Sequence, residues 1–206
     1  MPPSHLILVR HGETDWNHQR LCQGQSDIPL NDRGRDQARR LTRRLRSWNI
    51  EAIHSSDLLR ASQTAEILGE SLGLTPRLDS AWREMNLGVL EGQSHDKIPG
   101  SREIISASAQ SDGPFVEGAE TYAELEQRVV GAYMSICSEY ANQDVMIVSH
   151  GGTLKALIAH VIHFDPKYID RLSLRGNSGV SVIDFRYGRP QLVLLNDTHH
   201  LAESMP

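Results

Sequence analysis

Two short runs of the chain, residues 5–9 (His-Leu-Ile-Leu-Val) and 145–148 (Val-Met-Ile-Val), are apolar at successive positions and lead directly into a histidine-glycine pair. A strand that alternates buries one face. A strand apolar at every position buries both. These runs therefore call for a sheet covered by helices on two sides, and the rest of the chain supplies them. Asn31 can cap a helix whose apolar stripe is Ala38, Leu41, Leu45 and Trp48. A short strand at residues 52–54 runs into Ser55-Ser56, and a second helix carries Leu58, Ala61, Ala65, Leu68 and Leu72 on one side before Gly73. Residues 75–78 suit another short strand. Thr121 and Glu124 form a capping box ahead of a long helix striped by Leu125, Val129, Tyr133, Ile136 and Tyr140. After residue 152 a further helix follows (Leu154, Leu157, Ile158, Val161), and strands at 179–186 and 191–195 flank Gly188 as a terminal hairpin.

This alternation predicts an α/β fold: a three-layer sandwich with a mostly parallel central sheet flanked by helices. The 206 residues suffice for one domain. Residues 94–120, rich in Ser, Ala, Gly and Pro and weakly periodic, read as a small lid insertion. A net charge of −5 and a pI near 6.0 give no global attraction for nucleic acid or an anionic membrane. The cluster of arginines from Arg33 to Arg46 lies on a helical pattern and reads as a solvated face. The apolar run at residues 6–9 is too short for a signal sequence or a membrane span. Cys22 and Cys137 are far apart and fit no disulfide or zinc spacing. A cytoplasmic protein acting on a small phosphorylated metabolite is expected, with neither nucleic acid nor membrane as partner; a homodimer is compatible with the chain.

In sheets of this kind ligands bind beyond the carboxyl ends of the strands, so Arg10-His11-Gly12 and Ser149-His150-Gly151-Gly152 should open onto one edge. Histidine at such a place is often only a hydrogen-bonded fold element. A metal site would need a fuller ligand set than Glu13 and Asp15 add, and neither His160 with His163 nor His199 with His200 has a clear third partner. No metal and no cofactor is expected. Arginine favours another reading, because Arg60 falls early in the helix after the second strand, at the same edge as Arg10. Guanidinium forks match phosphoryl oxygens in charge and geometry, helix N-terminal amides add to such a cradle, and a neutral imidazole can attack phosphorus. The departing alkoxide then needs a proton, for which Glu84 and Glu13 are both candidates.

The run Leu8-Val9-Arg10-His11-Gly12-Glu13-Thr14-Asp15-Trp16-Asn17 resembles the signature of the histidine phosphatase superfamily, the phosphoglycerate-mutase-like proteins. Further blocks follow in that family's order: Gly24 with Asp27 and Leu30; Gly34 with Gln37-Ala38; Ser55-Ser56-Asp57-Leu58 with Arg60-Ala61 and Gln63-Thr64-Ala65; Arg83-Glu84 with Gly88 and Glu91-Gly92; and Ser149-His150-Gly151-Gly152. The resemblance covers nearly the whole chain and weakens only in the insertion. It implies that His11 is the nucleophile, oriented by the Gly12 carbonyl. Arg10, Arg60 and His150 would hold the phosphoryl oxygens, helped by Asn17 and the Gly151 amide. Glu84 would be the general acid and then the base, and Glu13 a supporting or capping residue. No metal is required.

Within that family the resemblance separates mutases from phosphatases. Mutases follow the acid glutamate with an arginine, where this chain has Met85. They place a small hydroxyl residue before Gly24, where this chain has Gln23 as in the broad-specificity phosphatases, and both Gln23 and Gly24 are expected at the phosphate. The mutases' arginine-bearing insertion is replaced by one whose cations are Lys97 and Arg102. A metal-independent phosphatase is therefore preferred, with a cofactor-dependent phosphoglycerate mutase and a non-catalytic phospholigand-binding protein as alternatives. The sequence Glu117-Gly118-Ala119-Glu120-Thr121 departs from the family's usual Gly-Glu-Ser, and Ile104, Ile105 and Phe115 make the lid modestly apolar. Phosphosugars, phosphoglycerate derivatives, a ribazole phosphate and phosphoserine all remain compatible.

Overall fold

The computed structural model describes residues 1–98, 104–111 and 113–202. Its elements in chain order are β1 (His5–Arg10), α1 (Asp15–His18), α2 (Asp32–Leu45), β2 (Ala52–Ser55), α3 (Leu59–Leu72), β3 (Arg77–Leu78), α4 (Ile104–Ser108), α5 (Tyr122–Glu139), β4 (Asp144–Ser149), α6 (Gly151–Val161), β5 (Val180–Asp184) and β6 (Gln191–Asp197), joined by short 3-10 turns. The six strands form one sheet in the order β3-β2-β4-β1-β5-β6. Neighbours from β3 to β1 run parallel, and β5 and β6 close the sheet as an antiparallel hairpin. This is the expected mostly parallel α/β sandwich.

The covering of both faces explains why the central strands are apolar throughout. Leu6, Leu8, Val145 and Ile147 pack beneath Leu125, Val129, Leu154, Leu157 and Ile158 of α5 and α6. The intervening Ile7, Val9, Met146 and Val148 face Leu41, Leu45, Ala61, Ala65 and Leu68 of α2 and α3. Side-chain alternation along the strand thus serves two cores at once. The predicted helix signals operate locally. Asn31 accepts from the Gly34 amide at 2.8 Å, the Thr121–Glu124 capping box forms, and Gly73 ends α3 with φ +71°, a left-handed conformation that glycine adopts without penalty.

Three details differ from the sequence reading. Trp48 lies beyond the end of α2, half-buried against the second core. The strand expected at 75–78 shortens to Arg77 and Leu78, both exposed. The region from 94 to 120 contains a helix, α4, that periodicity did not reveal, because five residues are too few to establish a repeat. Ile104 of α4 is buried, whereas Phe115 is exposed and forms no wall of the cavity below. Arg102 lies outside the described residues.

Candidate active site

In parallel register Arg10 stands opposite Ser149, so the next residue of each strand end, His11 and His150, meet with ring centroids 5.1 Å apart. Arg60, Asn17, Gln23, Gly24 and Glu84 join Arg10 and His11 around a cavity of about 200 Å³ at this carboxyl edge. A larger groove of about 530 Å³ lies at the opposite edge, between the start of the chain and the β5–β6 hairpin, and contains none of these groups.

The hydrogen bonds define the state of each group. His11 is buried, and its Nδ1 lies 2.7 Å from the Gly12 carbonyl oxygen. A carbonyl only accepts, so Nδ1 carries the proton and Nε2 of the neutral ring keeps its lone pair. Burial first, then the positive charges of Arg60 and Arg10, hold His11 well below the usual histidine pKa; the Gly12 bond works against them. Glycine is required at 12, because a Cβ there would stand 2.6 Å from the Gly34 carbonyl oxygen.

His150 is likewise buried and held well below its ordinary pKa by burial, Arg60, His11, Arg10 and Arg128. Its Nδ1 accepts from Arg60 Nε at 3.2 Å, and its Nε2 therefore donates to Ser56 Oγ at 2.9 Å. Arg60 is fully buried and further anchored by the carbonyls of Ser26 (2.7 Å) and Gly24 (2.6 Å). Burial lowers its pKa to about 10, with Glu84 and Asp27 opposing. Arg10 donates through one terminal nitrogen to the carbonyls of Leu174 and Arg175, while its buried Nε has no protein partner among the described residues. Two guanidiniums of fixed charge thus flank two neutral imidazoles.

Glu84 sits at the N-terminus of α6. One carboxylate oxygen accepts from Met85 N (2.9 Å) and Thr153 N (3.1 Å), the other from Gly152 N (3.0 Å). Of the α6 amides, those of Gly152 and Thr153 are thus taken up by Glu84, while Gly151 lies against the Arg10 guanidinium. A carboxylate at a helix N-terminus satisfies both the orphan amides and the helix dipole, which a more distant ligand would do less well. Asn17 has Oδ1 occupied by Thr14 and Asn177, leaving its Nδ2 end to meet a ligand. Gln23 Oε1 accepts from Thr14 Oγ1 at 3.0 Å. Glu13 points elsewhere, toward Asn31 Nδ2 (3.1 Å) and Arg33 (3.4 Å) at the start of α2.

Two participants escaped sequence reading. Ser56 holds His150, and its place in a serine pair after β2 was the only clue. Arg128, on α5, gives a two-pronged contact to Glu120 (2.6 and 2.9 Å) and donates to the carbonyls of Ala81, Arg83 and Glu84. No local pattern distinguishes it from a surface arginine. Among the described residues no cluster of three or more His, Cys, Asp or Glu side chains could hold a metal ion, and no helix is long and apolar enough to cross a membrane.

A sandwiched parallel sheet carrying paired histidines and arginines at its carboxyl edge defines an enzyme of the phosphatase type, and comparison with known proteins supplies the family. The profile of the histidine phosphatase superfamily (branch 1) matches residues 6–198, and the chain belongs to that superfamily. A relative named probable phosphoglycerate mutase GpmB, from Salmonella choleraesuis (strain SC-B67), is 38% identical over 186 residues, covering 88% of this chain and 85% of the relative. Among solved structures, a mutant phosphoserine phosphatase from Entamoeba histolytica in complex with phosphoserine superposes with a TM-score of 0.83 at 29% identity, covering 96% of this chain and 99% of that one. A mycobacterial glucosyl-3-phosphoglycerate phosphatase in complex with VO3 gives a TM-score of 0.83 at 32% identity, covering 94% and 98%.

Proposed function

We propose that the protein hydrolyses small phosphate monoesters without a metal, by way of a phosphohistidine on His11. The observation that carries this reading is the 2.7 Å contact of His11 Nδ1 with the Gly12 carbonyl oxygen, which fixes the ring's tautomer. Its Nδ1 proton is committed to Gly12, so a lone pair on Nε2 is available between Arg10 and Arg60. In the first step Nε2 attacks phosphorus, the bond to the ester oxygen breaks, and Glu84 in its acid form protonates that oxygen. In the second step Glu84, now a carboxylate, takes a proton from water as the water attacks the phosphohistidine and releases phosphate. Arg10 Nε, the free N–H groups of Arg60 and Asn17 Nδ2 meet the phosphoryl oxygens, and His150 acts behind them by holding Arg60 Nε. Gln23 and Gly24 border the same group, with Gly24 holding Arg60 in place.

A phosphoglycerate mutase shares the first step and is the second reading, favoured by the name of the Salmonella relative. Met85 favours hydrolysis: it is buried beside Glu84, where it offers no charge to a glycerate carboxylate. Turnover of an aryl phosphate in chelator tests the proposal. His11→Ala should lose at least about 10³-fold in kcat and yield no acid-labile phosphoenzyme on quenching. Glu84→Gln should lose about 10²–10⁴-fold on an alkyl ester, while Glu13→Gln, removed from the cavity, should change by about twofold. Undiminished turnover by His11→Ala would refute the nucleophile. Interconversion of 3- and 2-phosphoglycerate faster than phosphate release would replace hydrolase by mutase.

A further inference from the structure

The catalytic cavity shares Arg10, Asn17, Leu21 and His95 with a second hollow of about 360 Å³, which continues outward along Trp16, Arg20 and Arg175. The charges of this vestibule are one-sided. Arg10, Arg20 and Arg175 lie in its walls, and among the described residues no carboxylate does. Arg175 is exposed and makes no ion pair among the described residues, while its carbonyl, bonded to Arg10 at 2.7 Å, ties its backbone to the catalytic arginine. Arg20 meets Asp96 at 2.8 Å, but both side chains are more than half exposed, a pairing that a stronger anion displaces at little cost. In a chain of net charge −5 the three arginines are a local concentration of positive field.

The other flank of the catalytic cavity is different in kind. Beyond Glu84 its walls are Met85, Leu87, Ile104 and Ile105, which offer no charge. A leaving group protonated at Glu84 therefore has an apolar wall on one side. On the other, past the shared boundary of Leu21 and His95, it meets the guanidiniums of Arg20 and Arg175.

We propose that the vestibule binds a second anionic group, phosphate or carboxylate, on the alcohol portion of the substrate. The inference rests on the phosphatase reading and narrows its substrate class to doubly anionic esters, with Arg175 and Arg20 as the residues that confer the preference. Guanidinium forks at this position can engage either anion bidentately.

The test compares matched pairs differing only in the second anion: 3-phosphoglycerate against glycerol phosphate for a carboxylate, and fructose 1,6-bisphosphate against fructose 6-phosphate for a phosphate. The wild-type protein should favour the doubly anionic member of at least one pair by about tenfold or more in kcat/KM. In the Arg20→Ala/Arg175→Ala double variant that ratio should fall to about twofold, mainly through KM. Because each ratio is internal to one protein, a general loss of folded enzyme cancels. Calorimetric binding of the same pairs to the His11→Ala protein reads the vestibule without any turnover, so it stands or falls apart from the mechanism. Equal affinity for both members of each pair, or a preference that survives the double substitution, would overturn the proposal. Dependence of the carboxylate pair alone, or of the phosphate pair alone, on the two arginines would identify which anion is bound.

Discussion

Replacing Arg128 by methionine tests how Glu84, the proposed acid, is held in place. The guanidinium closes a bidentate pair with Glu120 and spans the carbonyls of Ala81 (2.8 Å), Arg83 (2.7 Å) and Glu84 (3.0 Å), thereby fixing the backbone that presents Glu84. The two side chains are only 21% and 12% exposed, so solvent does little to replace the lost contacts. Methionine fills similar volume but leaves the nearly buried Glu120 carboxylate with only the Asn86 amide and removes the donor to the Ala81 carbonyl, while the Arg83 and Glu84 carbonyls keep Thr153 Oγ1 and Gln25 Nε2. Breaking one side of such a pair costs about 3–5 kcal/mol, which for a domain of this size lowers the thermal midpoint by about 6–20 °C. The activity effect is separate: a displacement of Glu84 by about 1 Å should cost kcat up to about 10²-fold with a smaller change in KM. Urea denaturation and steady-state kinetics read the two effects. The double substitution Arg128→Met/Glu120→Gln should recover part of the stability, since the stranded charge is gone, but not the activity. If Arg128→Met unfolds at the wild-type midpoint and retains wild-type kcat, the clamp has no energetic meaning and the reasoning fails.

Two further outcomes follow from the site. His11 and His150 stay neutral in the fold at pH values where a solvent-exposed histidine, with pKa about 6.5, would be charged. As pH falls below about 6.5 the unfolded chain takes up protons that the native site refuses, so stability declines toward acid. Asp184, held at about 2 by Arg186, adds a further loss only as pH drops from about 4 toward 2. Urea midpoints from pH 8 to 4 should fall, and fall less in His11→Gln; a pH-independent midpoint would contradict the buried neutral pair. Gly24 has φ +50°, and a Cβ there would overlap the Glu91 carboxylate that receives Gln25 N and Ser26 Oγ. Gly24→Ala should cost about 1–3 kcal/mol and, by moving two carbonyls that hold Arg60, raise KM for any phosphate ester. Unchanged KM would show that Arg60 does not depend on that turn.

Much of the architecture was legible in one dimension because the relevant physics is local or periodic. Uninterrupted apolarity at 5–9 and 145–148 required a sheet covered on both faces. Asn31, Gly73 and the Thr121–Glu124 box marked helix ends by hydrogen bonding within a few residues. The motif blocks pointed to His11, Arg10, Arg60, His150 and Glu84, all of which the fold brings to one sheet edge. Helix α4 was not legible, being too short to show a period. The choice between Glu13 and Glu84 could not be made from spacing either, since residue order does not show where either carboxylate points. It depends on where α2 and α6 begin: the first collects Glu13 through Asn31, and the second orients Glu84 through its opening amides. The protonation of His11 and His150, the Arg128 clamp and the cationic vestibule likewise belong to tertiary structure alone. They join groups distant in the chain, 47 residues apart for Arg128 and the Ala81 carbonyl and 165 for Arg10 and the Arg175 carbonyl, and burial and Coulomb interaction depend on distance in space, which residue order does not record.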